Sequence, residues 1–222
     1  MFETAVKIKP DYFEAYKNLG ITHRDLGQFE LAVEKLKSSI AIEPNNIDAH
    51  YNLAITYKDI NEIDKAIESY KKVIEINPKF AAAYNNLGNI FKESGSKHSA
   101  IAYYEKAIEI NPKFAEAFNN LGNTYRDIKK REKALICFEQ AIDLKPDLEF
   151  VLGDILNSKM QLCLWDDLEN ILDDLINRIN KREQVIAPFP LMSLTDDPKL
   201  LKKNTEVFVK RIYPKSDALP KI

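Results

Sequence analysis

AAAYNNLGNIFKESGSKHSAIAYYEKAIEINPKF, residues 81–114, runs without a gap into AEAFNNLGNTYRDIKKREKALICFEQAIDLKPDL, residues 115–148. Laid over one another, the blocks agree at position 7 (Leu87, Leu121), position 8 (Gly88, Gly122), position 20 (Ala100, Ala134) and position 32 (Pro112, Pro146). The same 34-residue spacing extends backwards through Pro78, Pro44 and Pro10. It defines four units: Phe13–Asn46, Ile47–Phe80, Ala81–Phe114 and Ala115–Leu148. Leu19 and Leu53 complete position 7, Gly20 and Ala54 position 8, Ala32 and Ala66 position 20. A period of this length belongs to a helix–turn–helix unit that cannot bury its apolar face alone and must stack on its neighbours.

Packing explains the residue types. Small side chains at positions 8 and 20 let the two helices of a unit approach closely. Large ones fill the space around them: Tyr16, Tyr84 and Phe118 at position 4, Tyr57, Phe91 and Tyr125 at position 11, and Leu36, Tyr70, Tyr104 and Phe138 at position 24. At position 15 the chain must turn, and Gly27, Asn61 and Gly95 suit the left-handed conformation of a helix end. Lys129 does not, so the fourth turn is expected to be the least comfortable. Proline at position 32 stops the second helix, because it has no N–H and clashes with the preceding turn.

At these residues the chain resembles the tetratricopeptide repeat (TPR) family. The resemblance implies an all-α, right-handed superhelical solenoid in which the first helix of each unit lines a concave groove. Three segments are expected: a partial repeat over 1–12, four repeats over 13–148, and a helical capping or linker segment over 149–222. Phe2, Ala5, Ile8 and Pro10 fall at positions 24, 27, 30 and 32 of a preceding unit. Half a repeat makes a poor cap, so the chain is expected to begin inside a longer array.

Composition narrows the function. Lys and Arg number 32 against 34 Asp and Glu, which lacks the positive excess that a phosphate backbone demands, so no nucleic-acid partner is expected. No apolar run approaches the ~18–20 residues of a membrane span, and Met1–Pro10 has no apolar stretch of a secretory signal. Cys137 and Cys163 form no close-spaced motif and read as reduced thiols of a cytoplasmic protein. His23, His50 and His98 sit at unrelated repeat positions and offer no metal-ligand spacing. With no Gly-rich phosphate loop either, no cofactor, no metal and no catalysis are expected of the chain as it stands.

Position 6 is Asn in all four units: Asn18, Asn52, Asn86 and Asn120. The core does not require it, and Asn is a poor helix former. A carboxamide both donates and accepts hydrogen bonds, so a row of them could hold a peptide backbone without reading its side chains. Packed helices lie ~8–10 Å apart and an extended peptide advances ~3.3 Å per residue, giving about one Asn per three peptide residues. Asn89 and Asn123 at position 9, with Asn85 and Asn119 at position 5, thicken this ladder, whereas position 9 of the first two units is Ile21 and Ile55. The peptide-binding residues predicted are therefore Asn18, Asn52, Asn86, Asn120, Asn89 and Asn123. The competing reading is that these amides only bond a neighbouring helix. Replacing Asn86 and Asn120 by Ala is expected to leave stability within ~1 kcal/mol. Positions 12 and 13 alternate charge (Arg24/Asp25, Lys58/Asp59, Lys92/Glu93, Arg126/Asp127) and read as a self-paired, solvated face. A cationic clamp for a chaperone C-terminus is not supported: Lys17 could start one, but Ile21, Ala82 and Asn86 break it.

After Leu148 the 34-residue code decays. An apolar helical face (Phe150, Val151, Leu152, Ile155, Leu156, Met160) is followed by a helix with Asp166 as N-cap, Glu169 completing a capping box, and a stripe of Leu168, Ile171, Leu172, Leu175, Ile176 and Ile179. An irregular stretch over 181–195 leads to Thr195-Asp196-Asp197-Pro198 and a third helix with Leu200, Leu201, Val207, Phe208 and Ile212 inward, ended by Pro214. The stretches Met160–Asp167 and Ala187–Pro198 resemble the linker after the repeats of O-GlcNAc transferases and SPINDLY-like glycosyltransferases. That resemblance implies a substrate-docking region whose catalytic lobes are absent from this chain, with an uncovered surface near Ile186–Leu194 and Phe208–Tyr213. The alternatives are a generic helical cap, in which Trp165 and Phe189 are only core, and a stand-alone TPR adaptor whose tail helices pack back as a finished cap.

Overall fold

The computed structural model of the protein describes residues 2–212. Its elements are α1 (Phe2–Ile8), α2 (Phe13–Asp25), α3 (Phe29–Ile42), α4 (Ile47–Asp59), α5 (Ile63–Ile76), α6 (Ala81–Glu93), α7 (Lys97–Ile110), α8 (Ala115–Asp127), α9 (Arg131–Leu144), α10 (Val151–Gln161), α11 (Leu168–Asn180), α12 (Pro188–Leu191) and α13 (Pro198–Ile212). No strand occurs among the described residues. The helices form two compact units, Met1–Pro112 and Lys113–Ile222.

Three hairpins build the first unit after α1: α2/α3, α4/α5 and α6/α7. Each hairpin packs most extensively within itself, and α3 and α5 then meet α4 and α6 of the following hairpin. The periodic residues act as the spacing predicts. Gly27, Asn61 and Gly95 have φ of 72°, 61° and 82°. The amide after each one (Gln28, Glu62, Ser96) donates back to a carbonyl of the first helix (His23, Tyr57, Phe91) at 2.8 Å, which closes the helix in the manner of a Schellman turn. Second helices end at Ile42, Ile76 and Ile110, two residues short of each proline. In the hairpins α2/α3 and α6/α7, position 24 fills the hollow left by glycine at position 8. A Cβ at Gly20 would stand 2.5 Å from Leu36 Cγ, and one at Gly88 would stand 2.5 Å from Tyr104 Cε1.

In the second unit the hairpin α8/α9 repeats the scheme. A Cβ at Gly122 would reach 2.7 Å from Phe138 Cε1. Lys129 adopts the same left-handed turn (φ 61°) and Lys130 N still donates to Tyr125 O at 2.9 Å. The fourth turn is therefore intact, at a local backbone cost of ~1–2 kcal/mol for a residue with a Cβ.

Beyond Leu148 the side-chain code fades but the backbone keeps the period for one more helix. Cys163, 34 residues after Lys129, has φ 55°, and Leu164 N donates to Lys159 O at 2.9 Å as at the earlier turns. Helix α10 packs on α9, as α4 packs on α3 and α6 on α5. Then the scheme breaks. Segment 184–186 lies against the start of α10: Gln184 O accepts from Phe150 N and Val185 O from Gly153 N, both at 2.9 Å. A Cβ at Gly153 would meet Ile186 Cγ1 at 2.6 Å. Leu152, Leu156, Leu175, Ile179, Val185, Ile186, Leu191 and Leu200 form the buried core of this region.

Several tail expectations need correction. The N-cap of α11 is Asp167, not Asp166, and makes no side-chain cap bond. Lys159 holds the Asp167 carboxylate at 3.1 and 3.2 Å, so the capping box with Glu169 does not form. Of the α11 stripe only Leu175 and Ile179 are buried; Leu168, Ile171, Leu172 and Ile176 are half-buried. The irregular stretch contains the short helix α12, opened by Pro188. Trp165 and Phe189 are not core: they are 55% and 83% exposed. The surface expected to be uncovered is split, because Ile186 and Leu191 are buried while Phe189 and Met192 project. Helix α13 opens at Pro198, with Asp196 and Asp197 ahead of its first turn rather than in it; Thr195 Oγ1 accepts from Asp197 N at 3.1 Å and Asp197 Oδ1 from Lys199 N at 2.9 Å. Tyr213 and Pro214 lie outside the described residues.

Candidate functional site

Each ladder residue lies on the first helix of its hairpin, one residue before the buried Leu, and each is half-buried. Their bonding differs. The carboxamide of Asn18 has no hydrogen-bond partner among the described residues, while its main-chain oxygen accepts from Thr22 Oγ1 at 2.8 Å. Asn52 is tied on both sides: Nδ2 donates to Asp48 O at 2.8 Å, and Oδ1 accepts from Arg24 Nη1 at 3.0 Å. Asn86 uses Nδ2 twice, donating to Tyr51 Oη at 3.0 Å and to Tyr70 Oη at 3.1 Å. Asn89 Oδ1 accepts from Tyr104 Oη at 2.7 Å. In the second unit Asn123 Nδ2 donates to Asn119 O at 3.0 Å, and its Oδ1 accepts from Arg126 Nη2. Asn120 O accepts from Thr124 Oγ1 at 2.7 Å.

The two tyrosines at Asn86 are held in their neutral form. Burial pushes the Tyr51 and Tyr70 hydroxyls above the ordinary tyrosine range, against the smaller opposing effects of the Asn86 bond and the Arg24 charge. Their rings meet edge to face with centroids 5.8 Å apart, and Phe80 packs on Tyr51 at 5.1 Å.

The charged rows at positions 12 and 13 pair partly within a helix, as with Arg24–Asp25 at 3.0 Å, and partly with the next first helix along the chain. Lys58 meets Glu93 at 3.0 Å. Arg24 reaches Asn52, and Arg126 forms an ion pair with Asp154; both partners lie 28 residues further along the chain. Asp154 thus stands on α10 where the repeats carry Asn, and takes up the same cation. Sequence reasoning missed Tyr51 and Asp154 as members of this face, and read Arg24 and Arg126 as a self-paired, solvated row rather than as partners of Asn52 and Asp154. The signal was present: counting in units of 34 from Asn120 leads to Asp154.

A family profile described as TPR repeat matches residues 22–61 and 56–95, and one described as tetratricopeptide repeat matches 81–114 and 115–148. The protein belongs to the tetratricopeptide repeat family. Among curated proteins no sequence relative matches. Solved TPR-fold structures are similar over nearly the whole chain. PilF of Pseudomonas aeruginosa superposes with a TM-score of 0.72 at 22% identity, over 92% of this chain and 93% of that one. MamA gives 0.60 at 25% identity, over 87% and 96%. YrrB, a TPR protein with an unusual peptide-binding site, gives 0.62 at 14% identity, over 92% and 97%. These likenesses cover more of the chain than the family profiles reach. No helix of the described residues is long and apolar enough to cross a membrane, and no cluster of potential metal ligands occurs among them.

Proposed function

We propose that this TPR protein binds extended segments of partner proteins along the asparagine-bearing face of its first helices. The observation that carries the reading is the recurrence of Asn18, Asn52, Asn86 and Asn120 at the same half-buried register position of the four first helices. The family's general use in protein–protein interaction supports it. The bonding pattern changes how it should be tested. Asn86 partners the Tyr70 hydroxyl, so its removal leaves a buried polar group short of a bond and costs ~1–3 kcal/mol. Asn18 makes no such bond and is the clean probe. With a peptide selected on the full chain from a random-sequence library, Asn18→Ala and Asn120→Ala together are expected to weaken binding about tenfold, as for two lost hydrogen bonds. Unchanged affinity in that double variant would refute the reading.

A finer reading makes these repeats the substrate-docking region of an O-GlcNAc-transferase-like enzyme. It draws on the Met160–Asp167 and Ala187–Pro198 stretches and on the exposure of Phe189 and Met192, 83% and 63%, beside a shallow cleft with Asn157. On that reading the native polypeptide, captured from its own cells and weighed by mass spectrometry, is well above 25.5 kDa and yields peptides beyond Ile222. A product at 25.5 kDa would favour the stand-alone adaptor.

A further inference from the structure

The ladder reading gives every asparagine the same job, donating to and accepting from the bound backbone. At Asn86 the donor half of that job is already taken. An amide nitrogen has two hydrogens, and those of Asn86 go to Tyr51 Oη and Tyr70 Oη. A phenol oxygen that accepts a hydrogen bond still carries its own hydrogen to donate. Among the described residues no acceptor receives that hydrogen from Tyr51. Tyr70 is 1% exposed, whereas Tyr51 is half-buried, so of the two residues Tyr51 is the one with surface open to approach from outside. Tyr70 instead serves as the anchor that fixes the amide. The tyrosine ring is held by Tyr70 and Phe80, and its hydroxyl by Asn86, so the donor is aimed before any ligand arrives.

We propose that Tyr51 is the ligand-contacting donor at this rung: its hydroxyl, oriented by Asn86, donates to a backbone carbonyl oxygen of the bound segment, while Asn86 contacts the ligand only through its own oxygen. This rests on the peptide-binding reading above. Arg24 lies near enough for its charge to act on both phenols, but its guanidinium is engaged with Asp25 and Asn52. An uncharged carbonyl is therefore the acceptor assigned, rather than a carboxylate.

The experiment uses the full chain and a fluorescent peptide selected on it from a random-sequence library. Tyr51→Phe removes one oxygen and keeps the ring contacts, so the fold is retained. Loss of a single neutral hydrogen bond corresponds to a drop in affinity of about three- to tenfold. The selected peptide is then resynthesised with single backbone amides replaced by esters, whose carbonyls are weaker acceptors. One ester position is expected to weaken binding to the wild-type chain and to have no further effect on Tyr51→Phe. If the coupling falls instead on replacement of an acidic side chain by its amide, the carbonyl assignment is wrong. Should the peptide bind, weaken on Asn18→Ala, and ignore Tyr51→Phe, the relay fails while the ladder stands. Failure of any peptide to bind the wild-type chain would remove both.

Discussion

Gly122 and Gly153 stand on neighbouring first helices, α8 and α10, and both leave a hollow that a larger side chain fills. At Gly122 the filler is Phe138, from the second helix of the same hairpin. At Gly153 it is Ile186, from a segment more than thirty residues away that also hydrogen-bonds α10. Helix α11, which occupies the second-helix place after α10, packs on it far less than α9 packs on α8. A repeat is thus defined by which helix fills the hollow. In the three regular hairpins with glycine at position 8 the filler is local. In the tail a distant, partly non-helical segment takes that role.

The largest expected effect breaks the local interlock. Gly122→Val places carbon atoms inside the Phe138 ring contact and near Ala134 O, 3.2 Å from the Cβ site. Denaturant unfolding should show a loss of about 3 kcal/mol, the upper part of the range for overpacking. Gly153→Val should cost about 1 kcal/mol, because segment 184–186 can lift away without unfolding a hairpin. Its signature is local: hydrogen exchange at the Phe150 and Gly153 amides accelerates while the α8/α9 amides stay protected. Equal losses for the two variants would show that the tail is built as tightly as the repeats. The smallest effect compares the turns. Lys129→Gly should stabilise by about 0.5–1 kcal/mol, the strain of the left-handed residue less the added chain entropy of glycine. Cys163→Gly should give the same gain if the fifth turn is as firm as the fourth, and none if it is already frayed.

Most of the repeat fold was legible because its determinants are local and recur. The proline at repeat position 32, the left-handed residue at position 15 and the small residue at position 8 each act within one hairpin, so their spacing names their role. Lys129 kept its turn because its backbone bond, from Lys130 to Tyr125, does not depend on the side chain. The candidate site was legible in position but not in bonding. The partners of Asn86 lie 35 and 16 residues away, on two other helices, and no single-unit pattern reports them. The tail was misread where side chains compete for one group. Asp167, which could have capped α11 through its side chain, is drawn off by Lys159, and a capping-box motif does not record a lysine eight residues upstream.

The cation at position 12 reaches a polar residue 28 places ahead in both Arg24–Asn52 and Arg126–Asp154. Because Asn recurs at that place, excising residues 47–80 would set Arg24 opposite Asn86 with the same chemistry at the joint. Duplication or loss of a whole period by recombination therefore leaves a functional seam, and a lineage can change the length of this protein without inventing a new contact.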